Sequence, residues 1–377
     1  MLFDIYTPAD ADQHIRRIQD LLAKGVLAEK IADQLKLNHF DELLSIAKAR
    51  QKSEKTAKDY FMLEDDLRFA TNELVAEHRA KRLACDTLIE IGCGIGIQTI
   101  AFAKTCKNVI AIDIDARKVA YAKANTTKRK LTNVEFIADD GLNVLKTLKK
   151  ADVVFCDPGR PAAEDVRDIE TIFSPHLPTL IKEAQKITDR IAIELPPQIQ
   201  NVDTNWELEY LSVDHALNRL TAYLGPRAKE DFSACVLPTN SCLAGMANKA
   251  GLVDSVPLQY LFEIDPAVVK AGLTWKLNDP EKNLFRINDA LLTSMQDVES
   301  PFFKARYHII TVTKKFADAK AVLKREKAGK VVLHGDIPQE KYWETRKKFE
   351  EGLSGTRTLH VFLGKEFVVC RILSERI

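Results

Sequence analysis

The most informative part of this chain is the stretch Leu88-Ile-Glu-Ile-Gly-Cys-Gly-Ile-Gly96. Its apolar first half predicts a β-strand, and its three glycines predict a tight loop that leads into a helix. Glycine lets the backbone approach a ligand closely, and the first amides of a helix have no partner within the helix. The stretch therefore predicts a site for a nucleotide-like ligand. The dinucleotide pattern G-x-G-x-x-G would need glycine at position 97, where this chain has Ile97, so a nicotinamide cofactor is disfavoured.

Four more apolar segments follow, with room for a helix between them: Val109–Ile112, Val134–Ile137, Val153–Phe155 and Ile191–Glu194. This alternation predicts a parallel sheet covered by helices on both faces. Before the sheet, apolar residues at helical spacing predict a helical cap over the first ~60 residues and a further helix from about Glu64 to Leu83. After about Leu252 the pattern is mixed and predicts a separate α+β domain.

Carboxylates follow three of these predicted strands. Asp113 ends the second, where an acid can accept hydrogen bonds from both hydroxyls of a ribose, although a helix N-cap is the alternative. Asp139 and Asp140 end the third, and of the two we favour Asp140 as the residue that faces the ligand. Asp157 ends the fourth, followed by Pro158, and a cap of that turn is the alternative role.

The glycine stretch, with an acid two residues before it, resembles motif I of class I S-adenosylmethionine-dependent methyltransferases. The three later strand ends match the same family in order, over about 75 residues. The resemblance implies a Rossmann-like sheet and S-adenosylmethionine as cofactor. It implies a cofactor-binding set of Glu90, Gly92, Gly94, Gly96, Asp113, Ile114, Asp139 and Asp140. It also implies that the acceptor site contains Asp157, Pro158 and Arg160 as catalytic residues.

Two flanking segments, Leu67–Arg82 and Tyr260–Leu273, look like a group of prokaryotic methyltransferases that end in a THUMP-like domain. Those relatives tend to have Asp-Pro-Ala-Arg-Arg at the acceptor motif, whereas this chain has Asp-Pro-Gly-Arg-Pro. We therefore expect an α/β fold in three parts. Residues 1–63 form an N-terminal helical domain, residues 64–250 a Rossmann-like class I methyltransferase domain, and residues 251–377 a THUMP-like α+β domain.

Methyl transfer from a sulfonium is an in-line displacement, so the enzyme must mainly orient the acceptor about 3 Å from the methyl carbon. For an exocyclic amine, the Asp157 carboxylate would accept one N–H and take up developing positive charge, with the Pro158 carbonyl as a second acceptor. Arg160 would hold a phosphate or a base edge with its planar fork of donors. A carbon-5 pyrimidine mechanism would need a nucleophilic cysteine, but Cys93 and Cys156 lack a neighbouring base and read as small buried side chains.

The C-terminal segment from Pro301 to Ile377 is basic, with 17 Lys and Arg against 9 Asp and Glu. Five of these cations lie on predicted helices and suit an RNA backbone: Lys324, Arg325, Arg346, Lys347 and Lys348. Tyr342 and Trp343 are nearby as possible stacking groups. THUMP domains proper bind RNA, so the resemblance points the same way, while ordinary solvated helix faces remain the alternative.

The whole chain has a formal net charge of +1, which excludes a uniformly basic nucleic-acid coat. Seven cysteines without a C-x-x-C pair predict reduced thiols in a cytoplasmic protein and no metal site. No export signal is recognised, and the longest uncharged run near the front, Ile91 to Ala103, has only 13 residues, so no membrane partner is expected.

We predict a methyltransferase that modifies a base nitrogen of structured RNA, tRNA or rRNA, with no DNA partner. The alternatives are a protein or small-molecule methyltransferase and a non-catalytic RNA-binding adaptor that retains the cofactor fold.

Overall fold

The computed structural model describes residues 1–54, 56–159, 173–199, 202, 205–227, 230–246 and 253–375. These residues form two compact units. The first comprises residues 1–207 and 219–229, and the second comprises residues 208–218 and 230–377. The candidate site lies in the first unit.

Three helices open the first unit: α1 (Pro8–Ala23), α2 (Ala28–Leu35) and α3 (Phe40–Lys52). Thr7 caps α1 by accepting a hydrogen bond from the Asp10 amide, and Pro8 fills the first helical position, where no amide donor is needed. Ile15 and Ile18 are fully buried in the core of this unit, so the apolar stripe predicted from the sequence is the packed face of α1.

The helix predicted from Glu64 to Leu83 is wrong in its first half. The chain makes a 3-10 turn over Glu64–Arg68, and α4 covers only Glu73–Arg82. Asn72 has extended dihedrals, and its side chain accepts a hydrogen bond from the Leu74 amide, so it caps α4 and forces the chain out of the helix before it. Apolar spacing alone did not reveal this cap, and the non-helical segment that results lines the candidate site.

The remainder of the first unit alternates strands and helices as the sequence predicts, which confirms the α/β class. Its elements are β1 (Thr87–Ile91), α5 (Ile97–Thr105), β2 (Asn108–Asp113), α6 (Ala116–Lys128), β3 (Val134–Ala138), α7 (Gly141–Thr147), β4 (Val153–Cys156), α8 (Leu177–Ala184) and β5 (Ile191–Leu195). Two strands follow along the chain: β6 (Glu207–Val213), which lies mostly in the second unit, and β7 (Ala216–Leu224), which lies mostly in the first.

The strands lie in the order β3-β2-β1-β4-β5-β7. The first five are parallel, and β7 runs antiparallel to β5. β4 and β5 are buried along their whole length, as expected for strands covered on both faces. All parallel strands therefore end at the same edge of the sheet, and the carboxylates predicted from the sequence follow them there.

The second unit contains most of β6 and two further strands, β8 (Phe232–Leu237) and β9 (Ser241–Gly245). It continues with β10 (Tyr260–Ile264), α9 (Pro266–Lys270), β11 (Phe285–Asn288), β12 (Leu291–Ser294), β13 (Phe303–Thr313), α10 (Phe316–Arg325), β14 (Ala328–His334), α11 (Gln339–Glu350), β15 (Arg357–Leu363) and β16 (Phe367–Glu375). The last seven strands form a sheet in the order β11-β12-β10-β13-β16-β15-β14. Leu323 of α10 and Phe349 of α11 are buried in one core cluster with Val331, Leu359 and Val369 of the sheet, so both helices cover one face.

The expectation that every cysteine is reduced is wrong for one pair. Cys235 of β8 and Cys242 of β9 form a disulfide, with their Cα atoms 4.2 Å apart. The two residues lie directly opposite each other in the antiparallel pairing of β8 with β9. The absence of a C-x-x-C pair did not predict this bond, because the pairing of β8 with β9, and not a short spacing, brings the two sulfurs together.

In the part of the chain that the structure describes, no helix is long and apolar enough to cross a membrane.

Candidate active site

The glycine loop after β1 is held close to the ends of neighbouring elements. Gly92 and Gly96 have φ values of +81° and +87°, in the left-handed region that side chains rarely adopt. A Cβ on Gly92 would lie 2.3 Å from the carbonyl oxygen of Asp157, and one on Gly96 would lie 2.9 Å from the Cβ of Ala122. A larger residue at either position would push the loop away from β4 or α6. Glycine here thus fixes the distance between the loop and the rest of the site.

Asp113 ties the end of β2 to the glycine loop. Its Oδ2 accepts a hydrogen bond from the Gly94 amide at 2.8 Å, and its Oδ1 accepts one from the Asp115 amide at 2.9 Å. Asp113 is not the N-cap of α6, because Asp115 performs that role for the amides of Arg117 and Lys118. Each carboxylate oxygen has a second lone pair, so Asp113 can still accept hydrogen bonds from a ligand. The next residue, Ile114, lines the same cavity and is 76% exposed.

The two adjacent acids after β3 have different positions. Asp140 lines the cavity and caps α7, with its Oδ1 accepting from the Leu142 and Asn143 amides. Asp139 is exposed and is not among the residues that line the cavity, and its Oδ1 accepts from the Asp140 amide. The geometry therefore brings Asp140, and not Asp139, to the site.

Glu90, the residue before the last in β1, is 1% exposed. Among the described residues, no hydrogen-bond partner is found for its Oε2. Burial raises the pKa of Glu90 to about 8. A buried, unpartnered carboxylate oxygen is costly, and one that faces a cavity fits a cationic ligand group.

Asp157 and Pro158, the residues predicted to bind the acceptor, follow β4 and line the cavity. The Asp157 amide donates to the Ile91 carbonyl at 3.0 Å, so this segment is bonded directly to the strand that leads into the glycine loop. Gly159 exchanges backbone hydrogen bonds with Ser174, which also lines the cavity. Arg160, the third predicted catalytic residue, lies outside the described residues.

A buried ion-pair chain supports this side of the cavity, and the sequence did not reveal it. Arg79 of α4 is fully buried, and its Nη2 donates to Oε2 of Glu194, at the end of β5, at 2.8 Å. Oε1 of Glu194 lies 2.7 Å from Nε of Arg219 on β7. Glu194 and Arg219 both line the cavity. The chain thus connects α4, β5 and β7 and places Arg219 in the lining of the same cavity as Asp157.

The segment before α4, which contains the 3-10 turn, forms another wall of the cavity that the apolar spacing did not predict. Its lining residues are Asp66, Arg68, Phe69, Ala70 and Thr71. Phe69 is 54% exposed at the cavity. Asp66 is held by Arg117 of α6 at 3.0 Å, so the segment is anchored next to the residues that follow β2.

Together these elements enclose a cavity of about 390 Å³, within the range of small-molecule sites. Cys93 lines it, and Cys156 is fully buried nearby. Burial raises the pKa of both thiols well above its usual value, which disfavours either as a nucleophile.

The predicted RNA-binding cations lie in the second unit and are not equivalent. Arg346 is paired with Glu350 at 2.9 Å and stacks on Trp343, with Cζ 5.3 Å from the ring centre. Arg325 is paired with Glu326, and Lys348 with Glu344. Lys324 and Lys347 are exposed, and neither has an ion-pair partner among the described residues.

Comparison with known proteins finds similarity to methyltransferases in the middle part of the chain. A family model described as a methyltransferase domain matches residues 84–228. A Methanosphaera stadtmanae protein named as a probable ribosomal RNA small subunit methyltransferase A is 49% identical over 59 residues, 16% of this chain and 22% of that protein. A Methanobrevibacter smithii protein named as a probable cobalt-precorrin-6B C(15)-methyltransferase is 34% identical over 85 residues, 22% of this chain and 46% of that protein. The matches thus span less than half of either relative.

One solved structure is similar over almost the whole chain. It is the crystal structure of a Porphyromonas gingivalis W83 protein classed by name as a methyltransferase, with a TM-score of 0.74 and 14% identity, covering 98% of this chain and 100% of that one. At this identity the likeness concerns the fold alone. The family match shows that residues 84–228 form a methyltransferase domain, and the strand order and the glycine loop agree with the class I, S-adenosylmethionine-dependent type.

Proposed function

We propose that this chain transfers a methyl group from S-adenosylmethionine to a base nitrogen of a structured RNA, tRNA or rRNA. The observation that carries the proposal is that one cavity is lined by the glycine loop, by Glu90, whose Oε2 has no hydrogen-bond partner among the described residues, and by the Asp157-Pro158 motif. A cofactor and an acceptor can therefore meet in it.

The residues present fit the cofactor. The unpartnered Oε2 of Glu90 suits the cofactor's ammonium group, and Asp113 has lone pairs left for ribose hydroxyls. A Cβ built on Gly94 would meet open space, so the loop leaves room for a ligand there, and Ile114 and Asp140 offer an apolar surface and an acceptor for the adenine. The bound cofactor's sulfonium supplies an electrophilic methyl carbon.

The acceptor residues then have a positioning task. The Asp157 carboxylate accepts one N–H of the acceptor amine, and the Pro158 carbonyl accepts another, which directs the nitrogen lone pair toward the methyl carbon. As the nitrogen gains positive charge, Asp157 stabilises it and receives the surplus proton. Arg219, held by Glu194, offers guanidinium donors for a carbonyl or phosphate oxygen of the same acceptor.

Two observations support RNA as the acceptor class. The M. stadtmanae relative is named as a ribosomal RNA enzyme, and the C-terminal segment, which resembles a THUMP-like domain in sequence, has an excess of cations. A small-molecule acceptor is the second candidate, because the M. smithii relative is named as a cobalt-precorrin enzyme.

The test is incubation of the purified chain with methyl-labelled S-adenosylmethionine and separate pools of unmodified RNA, protein and metabolites. We expect label on a nucleoside, identified by mass, and a loss of at least 100-fold with Asp157→Asn. Asp139→Asn is the matched control, since that acid lies next to Asp140 but not at the cavity. Label on a metabolite would support the second candidate. Cofactor binding without any label in the three pools would contradict both.

A further inference from the structure

The two ends of the α10–β14–α11–β15 segment in the second unit differ in charge. Because β14 and β15 are parallel and each follows a helix, both strands begin at the end of the sheet where α10 and α11 finish. Ala328 pairs with Arg357 across the two strands, and the Arg357 amide donates to the Lys327 carbonyl at 3.2 Å. Lys320 Nζ donates to the Lys348 carbonyl at 3.0 Å, which brings α10 next to the last turn of α11.

Cations gather at this end. It holds nine of them, Lys320, Lys324, Arg325, Lys327, Lys330, Arg346, Lys347, Lys348 and Arg357, against the four acids Glu326, Glu344, Glu350 and Glu351. Each acid lies within ion-pair distance of one cation: Arg325 with Glu326, Lys348 with Glu344, Arg346 with Glu350 and Lys320 with Glu351.

Five cations are left without an ion-pair partner in the part of the chain that the structure describes. They are Lys324, Lys327, Lys330, Lys347 and Arg357, here called the basic edge, and all five are exposed. Lys324 and Lys347 lie in the last turns of helices, where a cation also complements the helix dipole. The dipole does not account for Lys327, Lys330 and Arg357, which lie outside both helices.

The opposite end of the same segment is neutral. It holds four cations, Lys314, Lys315, Lys341 and Lys365, and four acids, Asp318, Asp336, Glu340 and Glu366. The positive charge is therefore concentrated on one edge and is not a general property of the segment. An edge of this kind, with cations and no unpaired acid among the described residues, is complementary to a chain of phosphates.

We propose that the basic edge binds the phosphodiester backbone of the RNA acceptor. This inference rests on the proposed function and assigns a docking surface separate from the methyl-transfer cavity. The edge has no aromatic side chain among its five members, so it contacts phosphates and not bases. Binding there is expected to depend strongly on salt and weakly on sequence.

The experiment measures the affinity of the full-length chain for a fluorescently labelled, unmodified tRNA transcript across a salt series. The test variant is Lys327→Glu/Lys330→Glu/Arg357→Glu, and Lys327→Gln/Lys330→Gln/Arg357→Gln removes the charges more gently in case the first variant folds poorly. The matched control is Lys315→Glu/Lys341→Glu/Lys365→Glu, which changes net charge equally at the neutral end.

We expect at least a tenfold loss of affinity at about 100 mM salt for the test variant, and a log–log salt slope lower by about 2 to 3, since each lost phosphate contact removes about 0.7 to 0.9. The triple Gln variant is expected to lose about half as much RNA affinity on a logarithmic scale, and the control variant is expected to lose less than threefold. Equal losses for test and control variants would overturn the basic edge while leaving the proposed function standing. Wild-type protein that does not bind RNA would overturn both, and salt-dependent binding of polyglutamate instead of RNA would assign the edge to an acidic protein.

Discussion

The two halves of the cavity are built in different ways. In the half proposed to bind the cofactor, here called the cofactor half, Asp113 and Asp140 follow parallel strands and accept hydrogen bonds from backbone amides a few residues away or in the adjacent loop. In the half proposed to bind the acceptor, here called the acceptor half, Arg79, Glu194 and Arg219 come from three distant elements and are joined through side chains. The first half depends on local backbone geometry and the second on a buried ion-pair chain. Variants should therefore separate cofactor binding from acceptor use.

The largest effect is expected from Arg79→Met. The change removes the fully buried partner of Glu194, which is 3% exposed and retains only Arg219, and breaking a buried pair costs about 3–5 kcal/mol of unfolding free energy. Denaturant unfolding measures this loss.

Lys107→Met is the matched control, because Lys107 is paired with Asp86 at 2.8 Å but both side chains are exposed. A loss for Lys107→Met as large as that for Arg79→Met would show that burial of the Glu194 pair is not the cause. Addition of Glu194→Gln to Arg79→Met should recover part of the lost stability, because the buried carboxylate that lost its Arg79 partner is then neutral.

The next effect is on the cofactor half. Asp113→Ala removes the acceptor for the Gly94 amide and the proposed ribose contacts, so we expect cofactor affinity to fall about 10- to 100-fold. Calorimetric titration with S-adenosylmethionine measures the change. Asp115→Ala is the control, since that residue caps α6 but is not a proposed cofactor ligand. Retained affinity in Asp113→Ala would contradict the assignment of this half.

The residues of the cofactor half could be predicted from the sequence, whereas the ion pairs of the acceptor half could not. The strand ends, the glycine loop and the choice of Asp140 over Asp139 depend on residues within one strand-loop-helix unit, whose spacing is visible in the chain. The pairing of Arg79 with Glu194 joins residues 115 positions apart, and Arg219 adds a strand from further on. No local pattern records such a contact, because tertiary packing alone decides it.

Two other differences have the same kind of cause. Asn72 ends the predicted helix at its N-terminal side, but the signal of a capping asparagine was masked by apolar spacing that continues across it. Cys235 and Cys242 meet because β8 and β9 pair in one register out of several possible ones. The parallel sheet could be predicted from the alternation of strands and helices. The strand register and the helix cap could not, because they depend on the folded structure.

A smaller effect is expected from Arg219→Ala on the acceptor half. Arg79 still pairs with Glu194 in this variant, so the fold should persist, while one cationic contact to the acceptor is lost. We expect kcat/KM for the methylated acceptor to fall about tenfold with cofactor affinity unchanged, a loss of the size typical of one charged hydrogen bond. Arg219→Lys retains the positive charge but not the planar fork of donors, so its kcat/KM should lie between those of the wild type and Arg219→Ala. If Arg219→Ala also weakened cofactor binding about tenfold, the separation of the cavity into a cofactor half and an acceptor half would be wrong.

The smallest expected effect is the release of one proton when the cofactor binds. It tests the cofactor half and leaves the side chains of the acceptor half unchanged. Burial raises the pKa of Glu90 to about 8, so at pH 7 the free protein holds a proton on this carboxyl. An ammonium group placed against Oε2 favours the ionised form and lowers that pKa, so cofactor binding at pH 7 should release about one proton. Calorimetry in buffers of different ionisation enthalpy counts it. Glu90→Gln should bind more weakly and release none, and an unchanged proton count in that variant would place the titrating group elsewhere.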